Sequence, residues 1–361
     1  MASIVRRPNG RWQATYKVRG REFSRVFDRK QDAKVWAQSA EQEVLRGSWA
    51  DPRSSRMTVD QWLDRWLPTR RVDLRKTSFE RLTSLCDRHI RPKWGSRALD
   101  DVPNVEVREW SVELQQLLAP RTVRKVIMTL RQILDAAVDD RRLNANPAAR
   151  VPLPSNEGPD RAWMTLGQAE ALRDAIAPRY RVVVLLGYWC GLRFGEIIAL
   201  RRMDVDLARG RIRVERTAQQ TSAGVSFGPP KTRAGRRTVP VPPSVMRDVG
   251  AHLDAHTPAD PKALVVATST DTPLLRQNFT RRAWASGLRA ADLPSNLTPH
   301  SMRHGFASLL VAGGFSIKEV SQWCGHASTS VTLSVYAHLE AESENDAPDR
   351  LEALLARVGA R

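Results

Sequence analysis

The sequence predicts a multidomain chain, mainly α with small β-sheets: a small β3-α N-terminal domain, a helical domain and a larger α+β domain. Three observations predict it. At 361 residues the chain is long enough for two or three cores, taking about 100–200 residues per domain. The hydrophobic period changes along it, from strand-like alternation near the N-terminus, to helical stripes from residue 57, to a mixture after residue 160. Pro- and Ser-containing stretches at 51–55 and 151–159 punctuate the changes.

Each element follows from local chemistry. In residues 11–18, Trp12, Ala14, Tyr16 and Val18 alternate with Arg11, Gln13, Thr15 and Lys17, which predicts a half-buried strand. Pro8-Asn9-Gly10 and Arg19-Gly20 are its turns, and 22–27 is a further strand. Asp28 with Gln31 reads as a capping box opening a helix whose apolar face is Ala33, Trp36, Ala37, Ala40 and Val44. In the second region, helices are predicted from Val59, Trp62, Leu63 and Trp66, over 77–90 and 104–118, and over 121–140. The last of these carries a stripe of Val123, Val126, Ile127, Leu130, Ile133, Leu134 and Ala137. The third region has helices at 166–177 and 179–191, a β segment at 211–217, and a strand at 238–241 that Pro240 and Pro242 confine to an edge. Helices return from residue 244. The tail, 340–361, holds six acidic and three basic residues and a narrow stripe of Leu351, Leu354, Leu355 and Val358.

Charge narrows the function. There are 57 Lys and Arg against 39 Asp and Glu, a formal net charge of +18, which points to a polyanion, either nucleic acid or an anionic membrane surface. Of the 57, only nine are Lys. A GC-rich genome enriches Arg codons, but a guanidinium fork also matches phosphate oxygens two at a time. Either way, a Lys in this chain asks for a reason. The three cysteines, Cys86, Cys190 and Cys324, are few and far apart, as expected for a reducing cytoplasm and not for a disulfide or zinc framework. No apolar run approaches the roughly 20 residues of a membrane span, and the N-terminus has no signal-peptide stretch.

Four motifs carry chemistry. Thr298 and Pro299 suit a helix start, which puts His300 and Arg303 on one face as an anion site. His300 and His304 are also four apart, but the metalloprotease pattern needs Glu where Ser301 stands, so no metal is expected. Ser316 and Glu319 form a capping box, Gly325 is the helix stop, and His326 follows it. Tyr336, one of four tyrosines, lies ten residues on. Upstream, Arg193 follows an apolar helix ending at Gly191, with Glu196 placed to hold it. Lys231, the only Lys between Lys125 and Lys262, sits at a β turn after Gly228-Pro229-Pro230.

In order and spacing these residues resemble the tyrosine recombinase (phage integrase) family, in particular the arm-binding integrases of actinobacterial phages. The matching elements are the Gly-Leu-Arg-x-x-Glu box at 191–196, Lys231, His300-x-x-Arg303, Gly325-His326 and Tyr336. One departure is Cys324, where a Leu commonly precedes Gly-His, which bears on packing. The resemblance implies an arm-type DNA-binding domain at 1–52, a core-site DNA-binding domain at 57–152, a catalytic domain at 160–345 and a tail helix at 346–361 for protomer contact. It implies a site-specific recombinase that cleaves and rejoins DNA through a 3′-phosphotyrosine, without ATP, metal or other cofactor, and so integrates and excises a phage or mobile-element genome.

The implied roles make chemical sense. Arg193 and Arg303 would neutralise the phosphoryl oxygens. Tyr336 would be the nucleophile. Lys231 would protonate the leaving 5′ oxygen, which an arginine hardly could. His300 would be general base or phosphate ligand, and His326 a donor to a non-bridging oxygen. Glu196 would support Arg193. Arg6, Arg7, Arg11, Lys17, Arg19, Arg21 and Arg25 would carry arm-site DNA on the N-terminal sheet face. The implied partners are double-stranded DNA at core and arm attachment sites, three further copies of the chain in a homotetramer, a host integration factor and an excisionase, in the bacterial cytoplasm. A transposon integrase, a chromosome-dimer resolvase, a topoisomerase-like relaxing enzyme and a non-catalytic DNA-binding protein of the same fold remain the alternatives. The arm domain disfavours the resolvase, and the complete residue set disfavours the non-catalytic protein.

Overall fold

In a computed structural model the described residues are 2–18, 20–45, 57–155, 162–221, 224–230 and 232–325. They divide between two compact units, Met1–Gly158 and Pro159–Arg361. The first unit opens with an antiparallel sheet of β1 (Ser3–Arg6), β2 (Trp12–Val18) and β3 (Arg21–Phe27), in that order, against α1 (Lys30–Leu45). Alternation works as expected: Ala14 and Tyr16 are buried with Ala33, Ala37 and Ala40 of the helix. Two expectations need correcting. The helix begins at Lys30, so Arg29 flanks it, and Asp28 instead forms an ion pair with Arg11 at 2.8 Å. Val44 is exposed, because the sheet ends before the helix's last turn needs cover.

Residues 57–155 are helical: α2 (Val59–Asp73), α3 (Lys76–Leu85), α4 (Arg91–Trp94), α5 (Asn104–Leu117) and α6 (Pro120–Asp139). The helix predicted over 77–90 runs on through a π turn at Cys86–Ile90 into α4. Thr58 and Gln61 cap α2 reciprocally: the Thr58 hydroxyl accepts from the Gln61 amide at 3.2 Å, and the Gln61 side chain accepts from the Thr58 amide at 3.1 Å. All seven stripe residues of α6 are fully buried. At about 1.5–3 kcal/mol for each large aliphatic side chain, that stripe contributes substantially to this region's stability. Trp62 joins the same core, its indole N–H donating to the Ile133 carbonyl at 2.9 Å.

The second unit holds α7 (Leu166–Ala175), α8 (Arg181–Val184) and α9 (Phe194–Ile197). Strands β4 (Val205–Asp206), β5 (Arg211–Val214), β6 (Thr217–Thr221), β7 (Gly224–Gly228) and β8 (Arg237–Pro240) follow. Then come α10 (Pro243–His256), α11 (Arg276–Phe279), α12 (Ala285–Ala290), α13 (Pro299–Ala312) and α14 (Ile317–Cys324). The segment 211–217, expected as one strand, is two. β5 pairs with β4 and β8, whereas β6 forms a separate hairpin with β7. Arg216 marks the break: it donates to the Ala199 carbonyl at 2.9 Å and lies over the Phe227 ring, so the chain leaves the first sheet there. β8 is an edge strand, as its prolines require. The core surrounds α8 and its π-turn extension Leu185–Trp189, where Val182, Val183, Val184 and Leu186 are fully buried and Met302 of α13 packs in. This places the end of α8, the start of α9 and the middle of α13 side by side.

Candidate active site

Arg193 flanks the start of α9, and Glu196 lies one turn later. The Glu196 carboxylate is 2 % exposed and accepts from the Arg193 amide at 2.9 Å and from Arg193 Nη1 at 2.7 Å. The other fork nitrogen, Nη2, donates to the Gly325 carbonyl at 2.6 Å. Arg193 is thus fixed at both ends of its fork while its side chain stays 38 % exposed. Burial alone would raise the Glu196 pKa. The charge and hydrogen bond of Arg237, then the charge of Arg193, overcome it and hold the carboxyl below its usual range.

Arg303 comes from α13, whose start is capped as expected: the Thr298 amide donates to the Ser301 hydroxyl at 3.1 Å, and Pro299 takes the first position. The Arg303 residue is 2 % exposed. Its Nη1 donates to the Gly191 carbonyl at 2.6 Å, while Nη2 is buried with no partner among the described residues. Burial pushes its pKa down to about 10, and the charges of Arg193 and Arg237 act the same way. Gly191 makes the approach possible. Its φ is +62°, and a Cβ there would meet the Phe306 ring at 2.3 Å.

A third guanidinium, Arg237 of β8, was not singled out from the sequence. Nη2 donates to Glu196 at 2.9 Å, Nε to the Trp323 carbonyl at 2.8 Å, and Nη1 to the Gly235 carbonyl at 3.3 Å. In a chain with 48 arginines it carried no distinguishing signal; its alignment with the β8 alternation was the only hint that it points inward. α14 packs beside it, capped by Ser316 and Glu319 and ended by Gly325 at φ +60°. A Cβ on Gly325 would lie 2.9 Å from the Ala234 carbonyl. Cys324 is fully buried with Phe306, Leu310 and Val320, which is a packing position. Arg193 and Arg237 thus share the Glu196 carboxylate, and Arg303 stands close enough to both for their charges to act on it.

The structure therefore brings together Arg193, Glu196 and Arg303, over separations of more than a hundred residues. His300 is exposed one turn before Arg303, with its ring 4.6 Å from that of His304. Lys231, His326, Tyr336, Arg19 and the tail 340–361 lie outside the described residues. Among the described residues no group of His, Cys, Asp and Glu could hold a metal ion, and no helix is long and apolar enough to cross a membrane. The three cysteines are buried and free, and burial pushes the Cys86 and Cys190 thiols up to about 12.

On the N-terminal sheet the expected basic face is divided. Arg6, Arg21 and Arg25 pair in register with Trp12, Val18 and Ala14, the residues turned towards α1, whereas Lys17 is paired with Glu22 on the open face. All of the described cations there are nevertheless exposed. The reason is length: at the sheet's margins an Arg stem passes along the apolar surface and its head reaches water, as Arg25 does over the Phe27 ring at 5.5 Å.

A buried Arg and a braced Arg meet here beside Gly191, and comparison gives the family. The phage integrase family model matches residues 162–343, and the chain belongs to that family. It is a tyrosine-type site-specific recombinase of phage or mobile-element integration. The integrase of Mycobacterium phage L5 is 26% identical over 358 residues, covering 95% of each chain. In fold, the integrase of transposon Tn1549 in complex with transposon right end DNA superposes with a TM-score of 0.67 at 23% identity, covering 81% of this chain and 100% of that one. A lambda integrase tetramer bound to a Holliday junction gives 0.59 at 17% identity, covering 90% and 96%.

Proposed function

We propose that the chain recombines double-stranded DNA with Tyr336 as nucleophile and the Arg193–Arg303 pair as the phosphate site. The observation that carries this reading is Arg303. A guanidinium buried to 2 % exposure and held by one carbonyl, with Nη2 left over, is a donor set in advance for a non-bridging phosphoryl oxygen. Arg193, braced by Glu196 and still accessible, supplies the second guanidinium through the N–H groups its two bonds leave over. Tyr336 Oη forms a bond to phosphorus as the bond from phosphorus to the 5′ oxygen breaks. The tyrosine proton goes to His300, the leaving oxygen takes a proton from Lys231, and His326 donates to the phosphoryl group. The covalent 3′-phosphotyrosine keeps the bond energy for rejoining when a 5′-hydroxyl attacks in reverse. The other tyrosines support the choice of Tyr336. Tyr16 and Tyr188 are buried, burial pushes the Tyr188 hydroxyl up to about 12, and Tyr180 packs edge-on against Phe279.

In the same reading, residues 1–52 hold arm-site DNA, residues 57–152 and 160–345 hold the core site, and 346–361 contact a neighbouring protomer. Four protomers assemble on DNA, with a host integration factor and an excisionase setting direction, in the host bacterial cytoplasm. The test is Tyr336→Phe. On a nicked duplex spanning the junction between the element and its host chromosome, the wild type is expected to form a covalent protein–DNA adduct. The variant is expected to bind the duplex and form none; an adduct in the variant sinks the assignment.

A further inference from the structure

We propose that Arg237 is a positioning residue of this reaction: it clamps the carboxylate that orients Arg193 to the end of the helix that stops at Gly325. The inference rests on the reading of Arg193 given above. Arg237 spends its whole fork on three other pieces of chain: Glu196 of α9, the Trp323 carbonyl at the end of α14, and the Gly235 carbonyl in the turn before its own strand. Its side chain is 6 % exposed, and the carboxylate it meets is 2 % exposed. The bonds close a ring. Glu196 holds Arg193, Arg193 holds the Gly325 carbonyl, and Arg237 holds both Glu196 and Trp323. Neither side of the ring can shift without breaking a charge-assisted bond, and the link between Arg237 and Glu196 is shielded from water.

The anchor also lies on the segment that leads from Lys231. From Thr232 to Arg236 the chain turns tightly, the Gly235 amide donating to the Thr232 carbonyl and the Arg236 amide to the Arg233 carbonyl. A Cβ on Gly235 would meet Pro230 at 2.5 Å. Fixing Arg237 therefore anchors one end of this turn. A lysine would keep the charge beside Glu196 but is a single point donor on a flexible stem. It cannot hold the carboxylate and the Trp323 carbonyl in one rigid plane.

The experiment compares full-length wild type with Arg237→Gln, Arg237→Lys, Glu196→Gln and the double variant Glu196→Gln/Arg237→Gln. Adduct formation is followed in a single turnover on the nicked junction duplex, alongside affinity for that duplex and thermal unfolding. Misplacing a catalytic group by about 1 Å costs on the order of 10²-fold, and that is the loss expected in adduct rate for Arg237→Gln and Arg237→Lys. Affinity is expected to stay within about threefold, and the double variant to be no slower than its slower parent beyond about threefold, since the two residues act through one link. Arg237→Lys, which keeps the buried charge paired, is the folded reference should Arg237→Gln show no cooperative unfolding. A folded variant with the wild-type adduct rate, or losses that multiply in the double variant, overturns the proposal. An adduct formed by Tyr336→Phe would instead overturn the reading beneath it.

Discussion

Arg303 and Arg25 are the same residue in two environments. Arg303 is buried in the second unit, without a carboxylate bonded to it among the described residues, its fork aimed by one carbonyl and its pKa pushed down to about 10 by burial. Arg25 stands at the margin of the N-terminal sheet, its stem on Phe27 and its head in water. The first arrangement costs stability and is useful only where charge must be met without solvent reorganisation, as in a transition state. The second costs almost nothing and acts by number, through screened attraction to a polyanion. On the proposed reading, the two regions divide one net charge into chemistry and attraction.

The largest effect expected from breaking this division is at Arg303. Arg303→Gln removes the buried guanidinium while leaving a side chain that fills part of its space. Losing one preorganised donor costs about 10²–10³ in rate, so single-turnover adduct formation should fall by that much. Stability should move the other way. The lost charge sits close to Arg193 and Arg237 and is penalised by burial, so the midpoint of thermal unfolding is expected to rise. A lower midpoint with unchanged rate would show Arg303 to be structural and would erase the contrast with Arg25.

A second effect, read in stability and not in rate, is expected at Glu196, where the sign with pH can be worked out. Its folded pKa lies below the ordinary value of 4.5, so its stabilising contribution is fully present above that value. The contribution is lost as pH falls below 4.5 through the lower folded pKa. Wild-type unfolding temperature should therefore drop on acidification through this window, and the drop should be shallower in Glu196→Gln. At neutral pH the variant leaves Arg237 buried and unpaired, which costs about 3–5 kcal/mol for a broken buried pair, read by denaturant unfolding. A variant as stable as wild type would mean that water reaches the site and pays for the charge.

Much of this was legible in the sequence, and the pattern of what was not is physical. The caps at Thr298 and at Ser316–Glu319, the αL stop at Gly325 and the α6 stripe are local, set by residues three or four apart, and each was read directly. The pairing of Arg193 with Glu196 is equally local. Arg237 was not, because the partners that matter, Glu196 and the Trp323 carbonyl, lie 41 and 86 residues away and the local bond to the Gly235 carbonyl leaves no mark in the sequence. The split of 211–217 depends on where Arg216 finds the Ala199 carbonyl, again a tertiary contact. The basic face of the N-terminal sheet failed for a third reason: side-chain length lets a cation that shares the covered face escape to solvent, so alternation alone does not say where its charge ends up.

The smallest effects belong to that sheet, and they sharpen the comparison by their uniformity. Removing one phosphate contact from duplex DNA lowers the slope of log affinity against log salt by about 0.9. Arg25→Ala in the full-length chain is expected to lower it by up to that amount on a duplex spanning the element's own end, and to weaken binding to unrelated duplexes in parallel. Lys17→Ala should change less, because Lys17 already lies 3.5 Å from Glu22, and Arg11→Ala less for the same reason, with Asp28 at 2.8 Å. Neither should slow adduct formation once DNA is saturating, since none of these side chains is held in a fixed, desolvated geometry. If Arg25→Ala slows the covalent step at saturation, the N-terminal cations do more than attract, and the division between the two regions fails at its exposed end.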